Sequence, residues 1–316
     1  MKRLAVLDDY EKVARSMADW TPLERDVAIE VFHDHVPDES ALAQRLRDFE
    51  IVCLMRERTP FPRSLIERLP NLQHLYTSGM RNWSLDLEAA HERNIVVTGT
   101  PTLNYPAVEH TWALILALFK RIVEEDRATR AGKFGTGVNL GLKGRVLGVI
   151  GLGKLGAQVA MIGKSFDMNV VAWSRNLTPA HCDAVGVRYV SKDEMFRNSD
   201  VITLHVQLGG RNRGLVGATE IAAMKPTAFL VNTARGPVVD EPALIAALQN
   251  RRIAGAGLDV FDTEPLNPDH PLLKLPNTVI TPHQGYVIEE NYVNFFRGAV
   301  SNVRSWLDGR IVNALT

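Results

Sequence analysis

The chain has 316 residues, 46% of them hydrophobic and 23% charged, enough apolar material for two globular domains and too much for a disordered segment. Lys plus Arg and Asp plus Glu both total 36, so the formal net charge is zero, and no basic face for nucleic acid or anionic lipid is advertised. Two cysteines, Cys53 and Cys182, make no disulfide framework, and the longest uninterrupted apolar run, Trp112 to Phe119, cannot span a bilayer. These bounds predict a cytoplasmic protein with a small-molecule partner, without nucleic acid, membrane or metal; the first apolar run, which ends at Asp8 and Asp9, is too short for a signal peptide.

Residues 1–99 repeat a simple rhythm. Short apolar runs at Leu4–Leu7, Ala28–Phe32, Ile51–Met55, Leu72–Tyr76 and Ile95–Thr98 alternate with helix-length amphipathic stretches, the pattern of a parallel sheet with crossover helices. Ligands of open α/β sheets sit beyond the carboxyl ends of the strands, which directs attention to Arg56–Pro60 and Thr77–Asn82. Gly99 to Thr102 breaks the rhythm. Asn104 is placed to cap a helix starting near Tyr105, and from Val108 to Ile122 that helix is apolar on nearly every side, which predicts burial between domains or between subunits.

A glycine-rich loop, 132–144, leads into the run around which the chain is organised, Arg145 to Gly156. Val146–Ile150 is a buried strand by composition, and Gly151, Gly153 and Gly156 follow it with G-x-G-x-x-G spacing. Such a turn brings backbone close to a pyrophosphate at the N-terminus of the next helix, here Ala157–Phe166, where free N–H groups and the positive dipole end face the ligand. Asn169–Trp173 completes one βαβ unit, and further strands are predicted at Val187–Val190, Val201–Val206, Ala228–Asn232, Ala256–Val260 and Thr278–Thr281. Pro282–Gly285 is a second break before one long amphipathic helix, Glu289–Leu307.

The expected architecture is α/β with two Rossmann-like domains: a flavodoxin-like substrate domain, 1–99 plus 286–316, and a doubly wound dinucleotide-binding domain, 100–285, joined by two chain crossings in the manner of a hinge.

Three polar residues stand at ends of predicted strands on the edge that carries the glycine turn: Arg235 within Asn232–Gly236, Glu264 within Asp262–Pro265, and His283 after Thr281-Pro282. In these motifs and this order the chain resembles the D-isomer-specific 2-hydroxyacid dehydrogenase family, over nearly its whole length, since Asn94–Ile122 and Gly257–Pro265 also follow the family pattern. The resemblance implies hydride transfer between a nicotinamide and a 2-hydroxy acid, which needs a cation on the carboxylate, a proton acceptor at the hydroxyl and a group to hold that acceptor's tautomer. Arg235, His283 and Glu264 suit these roles in turn.

The resemblance further implies that Lys154 and Leu155 hold the pyrophosphate through their backbone, that His205 and Val206 line a strand-end cofactor edge, and that Thr233, Ala234, Asp259 and Gly285 meet the nicotinamide end. Gln207 replaces the proline usual at that edge. Met80 and Arg81 occupy positions whose amides hold the substrate carboxylate in the family, with Arg81 standing where a glycine is usual.

Ser174 and Arg175, where NAD-specific relatives carry an acidic residue, predict NADPH preferred over NADH. The substrate expected is a small 2-keto acid such as glyoxylate or hydroxypyruvate, with a phosphoglycerate dehydrogenase-like relative in view. Formate oxidation is disfavoured by the acid-base pair, and a phosphoglycerate dehydrogenase often carries a regulatory extension. The alternative from another class is a nucleotide-sensing corepressor on the same fold, and the apolar helix together with the family resemblance favours a homodimer.

Overall fold

The computed structural model describes residues 1–316, which divide into two compact units, Met1–Leu103 with Val287–Thr316 and Asn104–Tyr286. Thr100–Leu103 belong with the first unit for a local reason: Thr100 Oγ1 accepts from Tyr76 Oη at 2.9 Å, and the Leu103 N–H donates to Asn291 Oδ1 at 3.0 Å.

The first unit holds a parallel sheet of five strands, β1 (Lys2–Val6), β2 (Val27–Val31), β3 (Ile51–Leu54), β4 (His74–Thr77) and β5 (Val96–Gly99), in the order β2-β1-β3-β4-β5. This is the flavodoxin-like order, with its switch point between β1 and β3. β3 and β4 are buried along their whole length, and β3, Ile-Val-Cys-Leu, accordingly appears in the sequence as a continuous apolar run rather than as alternation. One face packs on Leu42, Leu46, Phe61, Leu65, Ile66 and their neighbours; the helix Glu289–Leu307 lies against β4 and β5. The last residues return to the same sheet: Leu315 N–H donates to Val97 O at 2.9 Å and Gly99 N–H to Asn313 O at 3.0 Å, covering the β5 edge.

The second unit holds seven parallel strands, β6 (Val146–Ile150), β7 (Asn169–Trp173), β8 (Arg188–Tyr189), β9 (Val201–Leu204), β10 (Phe229–Asn232), β11 (Gly255–Leu258) and β12 (Thr278–Ile280), in the order β12-β11-β10-β9-β6-β7-β8. The sheet is doubly wound about β6, which has β7 on one side and β9 on the other. All strands run the same way, so every loop after a strand emerges at one edge. The α/β architecture with two Rossmann-like sheets is as expected.

The helix after the first break departs from expectation in three respects. It spans Pro106–Phe119, its N-cap is Tyr105 without a side-chain cap bond, and Asn104 does not cap it. Pro106 has no N–H to satisfy, so its first turn asks less of a cap. Nor does the helix continue to Ile122: Arg121 takes a left-handed φ of 49°, and a separate helix, Ile122–Arg130, buries nothing. Finally, its burial comes from its own unit, because Val108, Trp112, Leu114, Ile115 and Phe119 pack on β10, β11 and the helix Lys154–Ser165, while Glu109 and Ala113 stay exposed. No helix is long and apolar enough to cross a membrane.

Candidate active site

The glycine turn sits at the switch point of the second sheet, between the ends of β6 and β9. Gly151 has φ +96°, and a Cβ there would stand 2.7 Å from the carbonyl oxygen of His205, the first residue after β9. Gly156 is still more constrained, since a Cβ would lie 2.0 Å from Gly151 O. The helix then starts at Lys154, earlier than the Ala157 expected, so Lys154, Leu155 and Gly156 form its first turn.

The turn fits a pyrophosphate on two counts. Gly153, the N-cap, offers no side-chain acceptor to the first-turn N–H groups, and nothing lies within 4 Å of where its Cβ would be. An uncapped N-terminus facing open space presents N–H donors and a positive dipole end to an anion.

At the carboxyl ends of β10, β11 and β12 the other predicted residues come together. Asn232, buried at the end of β10, donates to Arg235 O at 2.9 Å and accepts from Ala234 N–H at 3.0 Å, which folds Thr233–Arg235 into a fixed turn. Thr111 gives its hydroxyl proton to Ala107 O at 2.7 Å, so Thr233 is the donor in the 2.8 Å bond between the two threonines. Arg235 Nη1 donates to Ala234 O at 2.7 Å.

The Glu264 carboxylate accepts the Phe261 N–H through Oε1 at 2.9 Å, and its Oε2 lies 2.6 Å from His283 Nδ1. A carboxylate is an acceptor, so Nδ1 carries the proton and the tautomer is set. His283 Nε2 has no hydrogen-bond partner, and the side chain is 24% exposed, so this nitrogen is open to a ligand. Tyr286 stands edge-on to the ring, with centroids 5.7 Å apart.

His283 takes a left-handed φ of 54°, and Asp259 is the residue that holds it there. The backbone oxygen of Asp259 accepts His283 N–H at 2.8 Å, and its carboxylate, 1% exposed, accepts Thr281 Oγ1 at 2.6 Å, Gln284 N–H at 2.7 Å and Gly285 N–H at 2.8 Å. His110 Nε2 lies 3.1 Å from the same carboxylate and 2.8 Å from Thr281 Oγ1. Asp259 and Gly285, expected toward the nicotinamide, thus hold each other and shape the loop that carries His283.

His205, expected on the cofactor edge with Val206, pairs through Nε2 with Thr203 Oγ1 at 3.0 Å, and desolvation pushes its imidazole down to about 4. It is neutral near pH 7.

Ser174, Arg175 and Val206 line a cavity of about 170 Å³ between the end of β7 and the loop after β9, together with Gln207, Arg211 and Asn212. Arg175 Nη2 donates to Arg211 O at 2.8 Å. In the first unit, Met80 and Arg81 follow β4 on a loop tied by Asn82, which donates to Arg56 O at 2.8 Å and Thr77 Oγ1 at 3.1 Å; both side chains are exposed and Arg81 has no side-chain partner.

Sequence reasoning missed Asn232, His110, Thr111, Thr281, Arg211 and Asn212. Asn232 had a readable signal, a short amide directly after a buried run. His110 and Thr111 had none, because only packing turns those positions of a helix toward β10 and β12.

Comparison with known proteins agrees with this geometry. The family description "D-isomer specific 2-hydroxyacid dehydrogenase, NAD binding domain" matches residues 112–285. The glyoxylate reductase of Aeropyrum pernix is 35% identical over 285 residues, covering 87% of this chain and 84% of that one. The glyoxylate/hydroxypyruvate reductase B of Salmonella paratyphi C is 37% identical over 258 residues and 79% of each chain. Among solved structures, the phosphoglycerate oxidoreductase of Vibrio cholerae O395 superposes with a TM-score of 0.92 at 32% identity, over 98% of this chain and 100% of that one.

A doubly wound sheet with an uncapped glycine turn at its switch point and a His–carboxylate pair on the same edge defines a nicotinamide-dinucleotide oxidoreductase. The chain belongs to the D-isomer-specific 2-hydroxyacid dehydrogenase family. Its relatives bear enzyme names, and the corepressor alternative gains no support from them.

Proposed function

We propose that the protein interconverts a small 2-keto acid and its D-2-hydroxy acid, with NADPH preferred over NADH. The observation that carries this reading is the His283–Glu264 pair: Nδ1 is committed to the carboxylate at 2.6 Å, and Nε2 is left to exchange a proton with a substrate oxygen. When bound, the nicotinamide exchanges the hydride with C2 of the substrate.

His283 Nε2 gives its proton to the C2 oxygen in reduction and removes it in oxidation. Glu264 keeps the ring in register and fixes its tautomer through Nδ1. Arg235 grips the substrate carboxylate with the forked geometry that an ammonium lacks. Gly151 and Gly153, with the N–H groups of Lys154, Leu155 and Gly156, would hold the pyrophosphate; Val206 and His205 would flank the adenosine side, and Thr233, Ala234, Asp259 and Gly285 the nicotinamide side.

The NADPH preference is supported by Ser174 and Arg175 at the end of β7, where a carboxylate would repel a 2′-phosphate and a hydroxyl and guanidinium can donate to it. We assign substrate selection to the loop of Met80 and Arg81. The names of the relatives point to glyoxylate and hydroxypyruvate, and the unpartnered Arg81 favours keto acids with a distal acceptor over aliphatic ones. A homodimer is the assembly proposed, since the exposed Ile122, Phe134 and Val138 give a second copy apolar surface to bury.

The test is a panel of 2-keto acids reduced with NADPH and with NADH, followed by cofactor absorbance. Turnover of glyoxylate or hydroxypyruvate with higher kcat/KM for NADPH is the expected result. No turnover of any 2-keto acid with either cofactor refutes the reaction, and a kcat/KM favouring NADH refutes the preference.

A further inference from the structure

The loop after β9 carries cations that the dehydrogenase reaction does not use, and one of them, Arg211, lines the cavity at the end of β7. We propose that Arg211 is a second specificity-determining residue, which binds the 2′-phosphate of the cofactor from the side opposite Ser174 and Arg175. The assignment rests on the NADPH reading given above and adds a residue to it.

The cavity is the first support. At about 170 Å³ it far exceeds the roughly 10–15 Å³ that holds a single water, so a phosphate on a ribose edge has room. Its charge is one-sided. Arg175 and Arg211 line it and no acidic residue does. Neither guanidinium is paired with a carboxylate. Arg213, the remaining cation of the loop, instead acts on Asp262, whose carboxyl burial raises and this arginine lowers.

Two arginines that line one cavity bring like charges to it, and a dianion bound there gains from both. A ribose 2′-hydroxyl offers no such compensation, so the second arginine discriminates as well as binds.

The loop is also built to keep its shape. Asn212 Nδ2 donates to Gln207 O at 2.9 Å, and the N–H groups of Asn212 and Arg213 donate to Gly209 O at 2.9 and 3.1 Å. Gln207 and Gly209-Gly210 thus form a closed turn that presents Arg211 without further ordering cost. Arg175 is tethered to this turn through the backbone oxygen of Arg211, at 2.8 Å, an acceptor that survives replacement of the Arg211 side chain. Arg211→Ala therefore removes one guanidinium and leaves the other in place.

The experiment is calorimetric titration of 2′,5′-ADP and 5′-AMP into the wild type, Arg211→Ala and Arg175→Ala. The wild type should bind 2′,5′-ADP at least about tenfold more tightly than 5′-AMP, and Arg211→Ala should lose about five- to tenfold for 2′,5′-ADP with 5′-AMP unchanged. Wild-type discrimination that persists undiminished in Arg211→Ala but falls in Arg175→Ala overturns the role of Arg211 and leaves the NADPH preference standing. A wild type that binds both nucleotides equally overturns both. Equal loss of 5′-AMP and 2′,5′-ADP in Arg211→Ala means that the residue shapes the loop without reading the phosphate, which also overturns the proposal.

Discussion

Asp259 joins fold and chemistry more directly than any other single residue. Its carboxylate accepts Thr281 Oγ1 and two backbone N–H groups while its own carbonyl takes the His283 N–H, so one buried side chain sets the left-handed backbone on which the imidazole stands. Asp259→Ala strands these donors, and leaving a buried donor unsatisfied costs about 1–3 kcal/mol. Asp259→Asn keeps one acceptor and should retain most stability while lowering kcat; denaturant unfolding and kinetics on both variants check this. If Asp259→Asn keeps wild-type kcat, the loop does not depend on that charge.

His283→Ala removes the side chain proposed to carry the proton and should abolish turnover while NADPH still quenches intrinsic fluorescence, because the glycine turn is independent of it. Glu264→Gln should lower kcat by about 10–100-fold, within the range general acid-base groups contribute. A kcat unchanged from wild type would reduce Glu264 to packing.

At the scale of elements, two close approaches matter most. The helix Lys154–Ser165 reaches the β6 turn only because Gly156 has no Cβ: a methyl there would overlap the Gly151 carbonyl at 2.0 Å, backbone that cannot swing aside. Gly156→Ala should push the helix N-terminus off the turn and weaken NADPH binding by about tenfold or more, since one misdirected charge-assisted bond is worth about 1.5 kcal/mol or more. Titration of the variant with NADPH settles it; wild-type affinity would mean that the pyrophosphate does not sit on that turn.

The chain's last residues form the second approach. Leu315, 5% exposed, packs into the core over β4 and β5 while its N–H pairs with Val97. Leu315→Ala should destabilise the first unit by about 2–3 kcal/mol, the lower range for a buried leucine truncation.

At the scale of the whole molecule, where net charge is zero at pH 7, desolvated imidazoles contribute to the loss of stability in acid, those of His205 and His74. His74 is fully buried on β4, stacked on Trp306 at 5.0 Å and bonded through Nε2 to Thr98 Oγ1 at 2.9 Å, and desolvation pushes it from its ordinary value of 6.5 down to about 3. Its folded value lies below the unfolded one, so the unfolded chain binds the extra proton as pH falls. The stability is therefore intact above about pH 6.5 and declines from there toward about pH 3, by about 2 kcal/mol at pH 5. His74→Gln, which keeps a donor for Thr98, should lose that much less between pH 7.5 and pH 5 in urea unfolding; equal losses would mean that His74 titrates normally.

The residue sequence by itself determined the strands and the chemistry-bearing turns. Strands buried on both faces are uninterrupted apolar runs, so β6 and β7 fall on the predicted residues and the other runs differ only at their ends. The helix Glu289–Leu307 matches at both ends because its amphipathic period is long and unbroken. Arg235, Glu264 and His283 each follow a predicted strand, and parallel strands deliver their loops to one edge, while the roles expected of them rest on the family resemblance.

Tertiary structure decided what depends on groups distant in sequence. The apolar period of the helix from Pro106 runs on past Phe119, yet the chain turns at Arg121. Asp259 meets His110 across a spacing no local pattern encodes, Leu315 closes an edge at β5, and Arg211 shares a cavity with Arg175 only because β9 and β7 both flank β6. Local propensity and periodicity act over a few residues, whereas strand order and side-chain convergence are set by which apolar faces bury each other, and that is decided only when the sheet assembles.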